Sequence, residues 1–279
     1  MTSKTPDSSN EHIAFIGGGN MASALIGGLL KRGLPVHQIQ VVEPFAEQRA
    51  RLAQQFQVEA SETAGASLAR ASLVVWAVKP QTFRQAAVES RAHTQNALHL
   101  SVAAGIRSGT IAGWLRTERV VRAMPNTPAL IGQGMTALFA RPAANADDRL
   151  AVERVVQTTG EYLWLEQEQQ LDAVTALSGS GPAYVFYFIE AMIQAGTEMG
   201  LSAEQARQLA MGTFVGASAL ASEATEPPDV LRGRVTSKGG TTHAALTFME
   251  ESGIKPSFMK AIHAARLRAS EMGDEFGVA

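Results

Sequence analysis

Residues 13–30 read IAFIGGGNMASALIGGLL, a strand pattern that becomes a helix pattern through a run of three glycines. Gly17, Gly19 and Ala22 stand at the spacing GxGxxA, and each position has a physical task. Gly17 permits a tight turn, Gly19 lets the backbone come close to a pyrophosphate, and Ala22 lets the helix pack near the strand. The amides of Gly18, Gly19, Asn20 and Met21, reached through Ile16 at the strand end, then point at the phosphates from the positive end of the helix dipole. By itself the spacing also fits a structural turn, because glycines cap helices. The strand before it, the helix after it and its place at the first strand favour dinucleotide binding.

Outward from that turn the alternation continues. HIAFIG (12–17), QIQVVE (38–43), LVVWAV (73–78), LHLSVA (98–103) and RVVRAM (119–124) are short β-branched runs that read as buried parallel strands. Helical patterns such as Met21 to Leu30 and Phe45 to Phe56 lie between several of them, and GMTALFA and EYLWLE add two later strands. This predicts an α/β fold in which residues 12–165 form a Rossmann domain with a doubly wound, mostly parallel sheet. Beyond Glu166 no strand pattern remains. Helical patterns cover Pro182 to Met199, Ser202 to Ala224, Thr241 to Ser252 and Pro256 to Met272, so residues 166–279 are expected to form an all-α domain. Residues 1–11 are polar and read as a disordered tail. In the second of these helices Gly212 and Gly216 allow either tight internal packing or the approach of a second copy. The apolar surface of so small a bundle favours a helical dimer interface.

Ligands of doubly wound folds sit outside the carboxyl edge of the sheet, so residues at the strand exits are the next candidates. Glu43 ends the second strand, where a carboxylate accepts hydrogen bonds from the adenine ribose and repels a 2′-phosphate; read alone, it tilts the choice toward NADH. Arg49 and Arg51, on the following helix, fit either a phosphate contact or a solvated surface. Ala77, Val78, Lys79 and Pro80 leave the third strand; Pro80 stiffens the exit, and Lys79 is either a cofactor contact or a lysine at a strand end. Val102, Ala103 and Ala104 leave the next strand. Asn126, between two prolines in AMPNTPAL, offers its amide to a nicotinamide or simply belongs to a rigid loop.

Composition narrows the class. Hydrophobic residues make up 46% and charged residues 18% of the 279, the balance of a globular chain. A formal net charge of -2 gives no footprint for nucleic acid or anionic membrane. The absence of cysteine excludes a disulfide framework and a thiolate nucleophile. No apolar run approaches the roughly 18 residues of a membrane span, and no secretory signal pattern opens the chain, which predicts a soluble cytoplasmic protein. The histidines show no metal-ligand spacing, and no metal is expected.

IGGGNMA, AVKPQ, AAG, MPNTP, DAVTALSGSGPAY and TSKGGTT occur in the order and spacing of pyrroline-5-carboxylate reductases, and the chain resembles that family from Ile13 to about Glu271. LSGSGPAY and GGTT are much more specific than the glycine fingerprint. The resemblance implies a Rossmann domain, a helical dimerisation domain, and a homodimer or larger homo-oligomer built from dimers. Its active site lies between the dinucleotide-binding domain of one subunit and the helical domain of a partner. The implied reaction is hydride transfer from NADPH or NADH to the C=N of 1-pyrroline-5-carboxylate, giving L-proline in the last step of its biosynthesis. Matched by position, Thr242 is the hydroxyl that hydrogen-bonds the ring nitrogen. Ser237, Gly239, Gly240 and Thr241 hold the substrate carboxylate, and Thr175 and Ser180 belong to the wall of the site. Three positions depart from the family pattern. Lys238 replaces a proline, Ala64 stands where many members have an asparagine, and Glu223 falls early relative to a family glutamate and receives no role. Many members favour NADPH against the reading of Glu43, so either cofactor is expected.

Such chemistry asks little acid–base work of the protein. An imine of this type is readily protonated, its carbon is already electrophilic, and alignment of donor and acceptor supplies several kcal/mol. Thr242 is a neutral donor and acceptor, which suits a nitrogen passing through imine, iminium and amine states. The helix start at SKGGTT offers amides to a carboxylate. Two alternatives stand beside this reading. One is a β-hydroxyacid dehydrogenase or other imine reductase, for which Lys238 would be the notable lysine; the other is a non-catalytic dinucleotide-binding regulator.

Overall fold

A computed structural model of the chain describes residues 12–277, so the tail expected over residues 1–11 lies outside the described residues. The first strands are β1 (Ile13–Ile16), β2 (Ile39–Val42), β3 (Ala60–Ser61), β4 (Leu73–Trp76) and β5 (Leu98–Ser101). They are followed by β6 (Val120–Met124), β7 (Gly134–Ala140) and β8 (Gly160–Trp164). All join one sheet in the order β3-β2-β1-β4-β5-β6-β7-β8, parallel except where β7 runs against β6. The helices α1 (Asn20–Lys31), α2 (Ala46–Phe56), α3 (Pro80–Ser90), α4 (Ser108–Leu115) and α5 (Ala146–Val156) connect them. The seven strand patterns read from the sequence all form. The two-residue β3 carries no pattern of its own and is held by pairing with β2 and by Glu43 N donating to Ser61 O at 2.8 Å.

Both faces of the sheet are covered, which is why its strands read as near-continuous apolar runs. Alternate residues of β1 and β4 serve the two sides. Ile13, Phe15, Leu73 and Val75 pack with α1, α2 and α5 residues such as Ile26, Leu52 and Val152. Ala14, Ile16, Val74 and Trp76 pack with Phe83 of α3 and Ile111 of α4. The strand order reverses direction between β1 and β4, so a crevice opens outside their carboxyl ends, where Gly17 and Ala77 emerge.

One buried polar contact in this core has a consequence for stability. Trp76 Nε1 donates to His99 Nδ1 at 3.0 Å, and His99 Nε2 lies 3.2 Å from Thr94 O. An indole N–H can only donate, so Nδ1 is the bare nitrogen and Nε2 carries the proton. Burial, with the Arg119 charge adding to it, lowers the His99 pKa from 6.5 to about 4, although the Thr94 carbonyl opposes the shift. The unfolded chain therefore binds a proton near pH 6.5 that the folded chain refuses until about pH 4. Stability contributed by neutral His99 is complete above pH 6.5 and falls away toward pH 4, by about 3 kcal/mol in all. Urea unfolding at pH 7 and pH 4.5 should show a steeper loss in the wild type than in His99→Gln. Equal losses would refute the assignment.

By contacts the described residues divide into two compact units. One comprises the residues up to Ser180 together with those from Ala265 onward, and the other is Gly181–Ala264. The change of sequence pattern at 165/166 comes earlier than this division. Residues after 166 are helical, yet α6 (Gln170–Val174) and a following π-helical turn (Thr175–Gly179) belong to the sheet unit, with Leu171 and Ala176 buried. The second unit holds α7 (Gly181–Glu198), α8 (Ala203–Glu223), α9 (Pro228–Arg234), α10 (Thr241–Glu251) and the first half of α11 (Ile254–Gly277). Helix α9 was not marked by any apolar periodicity; Pro228 begins it. Ser202 caps α8 by accepting from Gln205 N, while Gln205 returns a bond to Ser202 N. Tyr184 and Phe188 meet Phe258 edge-on.

This helical unit has little core of its own. Among its described residues the buried hydrophobics are Ile189, Ala206 and Ala210, whereas Phe186, Tyr187, Leu209, Val215, Leu220 and Phe248 are exposed. Beyond their own helix, no described residue comes within 4 Å of a Cβ built at Gly212 or Gly216, so these glycines meet no other element among the described residues. Among the described residues no helix is long and apolar enough to cross a membrane.

Candidate active site

The glycine turn is built for close approach. Gly17 has φ +96, and a Cβ there would stand 2.6 Å from the Ala77 carbonyl oxygen, so the turn and the β4 exit touch through backbone. Gly19 is the N-cap of α1 with no side-chain hydrogen bond capping it, and a Cβ on Gly19 would meet nothing within 4 Å. The helix thus opens with first-turn amides that no side chain caps, in a cradle that a single methyl would begin to fill. That arrangement fits a pyrophosphate, with Gly19, Asn20 and Met21 offering donors.

Gly18 is different. Its amide donates to Glu43 Oε2 at 2.8 Å, and Glu43 Oε1 accepts from Phe45 N at 2.9 Å. The Glu43 carboxylate, buried at 6% exposure, joins the glycine turn to the β2 exit. Arg49, which the sequence leaves to either a phosphate contact or a solvated surface, donates to the Glu43 and Pro44 carbonyls at 2.9 and 2.7 Å. Phe45 is left largely exposed beside this clamp.

The other strand exits converge on the same edge. Ala77 N donates to Ile16 O at 2.8 Å, and after Val78 the extended Lys79 caps α3, with Pro80 in the first turn. Val102 N donates to Trp76 O at 3.1 Å, Ala103 N to Ser101 Oγ at 3.3 Å, and Ala104 is half-buried. Asn126 accepts from Met135 N at 2.9 Å and donates to Ser178 at 3.2 Å. Its amide therefore ties the loop after β6 to the π-helical turn. That turn, a wide form of helix often found at functional positions, begins at Thr175, whose hydroxyl donates to Leu171 O at 2.7 Å, and closes with Ser180 N donating to Thr175 O.

A polar cluster that no sequence motif marked lies beneath these loops. Glu168 accepts from Ser108 N at 2.5 Å, from Ser108 Oγ at 2.6 Å and from the buried Arg122 guanidinium at 2.6 Å. Arg107 donates to Asp172 at 2.9 Å. Burial alone would push the Glu168 carboxyl up, but the Ser108 bonds and Arg122 together hold it below the usual carboxylate range. The partners lie 46 to 65 residues apart in sequence, so no local pattern announces them.

In the helical unit, the second glycine-rich stretch is a helix start of the same kind. Gly239 has φ +74, and Gly240 N donates to Ser237 O to close a turn. Gly240 is then the N-cap of α10 with no side-chain cap, followed by Thr241 and the half-buried Thr242. Ser237 and Lys238 are exposed. The helix again begins with first-turn donors that no side chain satisfies, now alongside hydroxyls. Among the described residues no cluster of acidic residues and histidines could hold a metal ion.

A sheet with a topological switch point, an open glycine cradle and a helical unit with a large apolar surface together define a dinucleotide-dependent oxidoreductase with a separate association domain. Comparison with known proteins makes this specific. Residues 12–105 match the family described as NADP oxidoreductase, coenzyme F420-dependent, and residues 168–272 match pyrroline-5-carboxylate reductase dimerisation. A pyrroline-5-carboxylate reductase of Pseudomonas aeruginosa is 42% identical, aligned over 96% of this chain and 99% of that protein. Among solved structures, the enzyme of that name from Coxiella burnetii superposes with TM-score 0.88 at 34% identity, covering 95% of this chain and 99% of that one. A Plasmodium falciparum pyrroline carboxylate reductase with NADP bound gives TM-score 0.84 at 27% identity, covering 95% and 98%. The chain belongs to the pyrroline-5-carboxylate reductase family and is an NAD(P)H-dependent oxidoreductase.

Proposed function

We propose that the chain reduces the C=N bond of 1-pyrroline-5-carboxylate to give L-proline, with Thr242 as the residue that addresses the ring nitrogen. The observation that carries the assignment is the start of α10, where Gly239 and Gly240 bring an uncapped helix N-terminus next to two threonine hydroxyls. In this reading the carboxylate of the substrate is held by Ser237, Gly239, Gly240 and Thr241, whose amides and hydroxyls are the donors a carboxylate needs. Thr175 and Ser180 line the substrate wall. Lys238 is exposed and is assigned no proton transfer.

The residues that hold the dinucleotide are Ile16 to Met21, Ala77 to Pro80, Val102 to Ala104 and Asn126, with Glu43 fixing the Gly18 and Phe45 amides. When bound, NAD(P)H supplies the hydride. The chain aligns the acceptor carbon, keeps a hydrogen bond on the nitrogen and neutralises the carboxylate. The exposed apolar face of α7 and α8, with Gly212 and Gly216 open to an approaching helix, supports a homodimer or an assembly of dimers. A cytoplasmic location goes with this reading, because the reductant it draws on is an intracellular pool. Oxidation of NADPH and of NADH by the purified protein, followed at 1-pyrroline-5-carboxylate saturation, tests the reading. Turnover is expected with at least one, and turnover with neither would sink it.

A further inference from the structure

We infer that Glu168 is a positioning residue, locking the loop after β5 to the segment that carries Thr175 and Ser180. The inference rests on the reductase reading, in which residues 102–104 are among those that hold the dinucleotide. That loop is irregular from Val102 to Arg107 and has to be held from outside. At its far end Ser108 presents both N and Oγ to Glu168, and Arg107 reaches Asp172 four residues further along the same segment. On the other side the end of α11 closes against it. A Cβ on Gly105 would lie 3.1 Å from Met272, and one on Gly273 would lie 2.6 Å from the Arg107 Nε. The loop after β6 is tied to the same segment by Asn126 and Ser178, while Arg122 inside β6 reaches Glu168 itself.

Three polar ties therefore run from one short segment to the two loops proposed to hold the dinucleotide, besides the Arg122 bond from inside β6. Only a carboxylate can accept from an amide, a hydroxyl and a guanidinium at once. A largely buried ion pair adds little net stability compared with apolar packing, and its best-attested use is to fix register, the role inferred for Arg122 and Glu168. The arrangement is what is needed if the cofactor loop and the substrate wall have to keep a set spacing, since small misplacements cost hydride transfer far more than binding.

The test is Glu168→Gln in the full-length protein, which keeps the size of the side chain and loses the charge and one acceptor. In the free protein, amide hydrogen exchange across residues 102–108 should rise about tenfold. With cofactor and 1-pyrroline-5-carboxylate, kcat should fall about 10- to 100-fold. The KM for NAD(P)H should move less than about threefold, and the isotope effect with nicotinamide-deuterated cofactor should increase. Unchanged exchange and an unchanged isotope effect in folded variant would overturn the inference, as would a kcat that falls only with the folded fraction. If Glu168→Gln does not fold, Ser108→Ala removes one bond and should show the same pattern at smaller scale; wild-type values there would overturn it equally. A wild type that does not turn over would sink the reductase reading instead, while the exchange measurement still decides the brace.

Discussion

Gly17→Ala is expected to lose both folding stability and cofactor affinity, whereas Gly19→Ala loses affinity alone. The two glycines stand two residues apart in the same fingerprint, yet their surroundings are opposite. A methyl on Gly17 would lie 2.6 Å from the Ala77 carbonyl oxygen and 2.8 Å from its carbon, which are backbone atoms of the neighbouring strand exit. The residue also sits at φ +96, where a side chain is strained whatever the space. Strain of about 1–3 kcal/mol and overpacking of similar size sum to about 2–6 kcal/mol, a large share of a typical folding free energy. A fall in Tm of about 10 °C, the middle of the range, follows for a domain of this size. A methyl on Gly19 meets nothing within 4 Å, so the free protein should keep its Tm. That methyl enters the space a pyrophosphate would occupy, and NAD(P)H affinity should fall at least about tenfold. Calorimetry of the free proteins beside fluorescence titration with NADPH and NADH separates the two cases. A Gly17→Ala protein with wild-type Tm would show that β1 and β4 can part at no cost, contrary to the packing described.

What the sequence made legible followed from periodicity and from short motifs. The strand runs that serve both faces of the sheet were readable because burial on both sides makes them continuously apolar. The glycine turn was readable because its spacing serves a geometric purpose. Two-residue β3 and the short α9 escaped because elements that small leave no period to detect. Glu43 shows a subtler limit. Its place at the end of β2 marks it as a residue of the cofactor edge, but only the fold reveals that each of its oxygens accepts a backbone amide, from Gly18 and from Phe45. Asn126 is similar, since its amide is committed to Met135 and Ser178. Glu168 had no sequence signal at all, because its importance comes from partners brought together by the sheet. The stretch from Gln167 to Ser180 reads as helical and so as part of the helical domain, yet it packs with the sheet. Composition reports the type of element and not which neighbour it buries against.

Thr242→Ala should lower kcat about 10- to 100-fold while leaving NAD(P)H affinity unchanged. Thr242 follows Gly240 and Thr241 at the start of α10, where the backbone donors of the first turn are committed to no side-chain cap. In the proposed role its hydroxyl bonds the ring nitrogen, which gains positive character before hydride arrives and becomes an amine afterward. A hydrogen bond to a charged group contributes about 1.5–3 kcal/mol, and each 1.36 kcal/mol of lost transition-state stabilisation is tenfold in rate. The alternative is that the hydroxyl serves α10 itself. A local role of that kind would lower Tm and leave the chemistry of the folded enzyme intact. Thr242→Ser separates the two, because it restores the hydroxyl without the methyl; near-wild-type kcat is expected. His243, the next residue, is exposed and points from a different face of the helix, so His243→Ala should keep most of the activity. If Thr242→Ala keeps wild-type kcat, or Thr242→Ser fails to recover it, the hydroxyl is not the group on the nitrogen. The glycine-rich helix start would then act on the carboxylate alone.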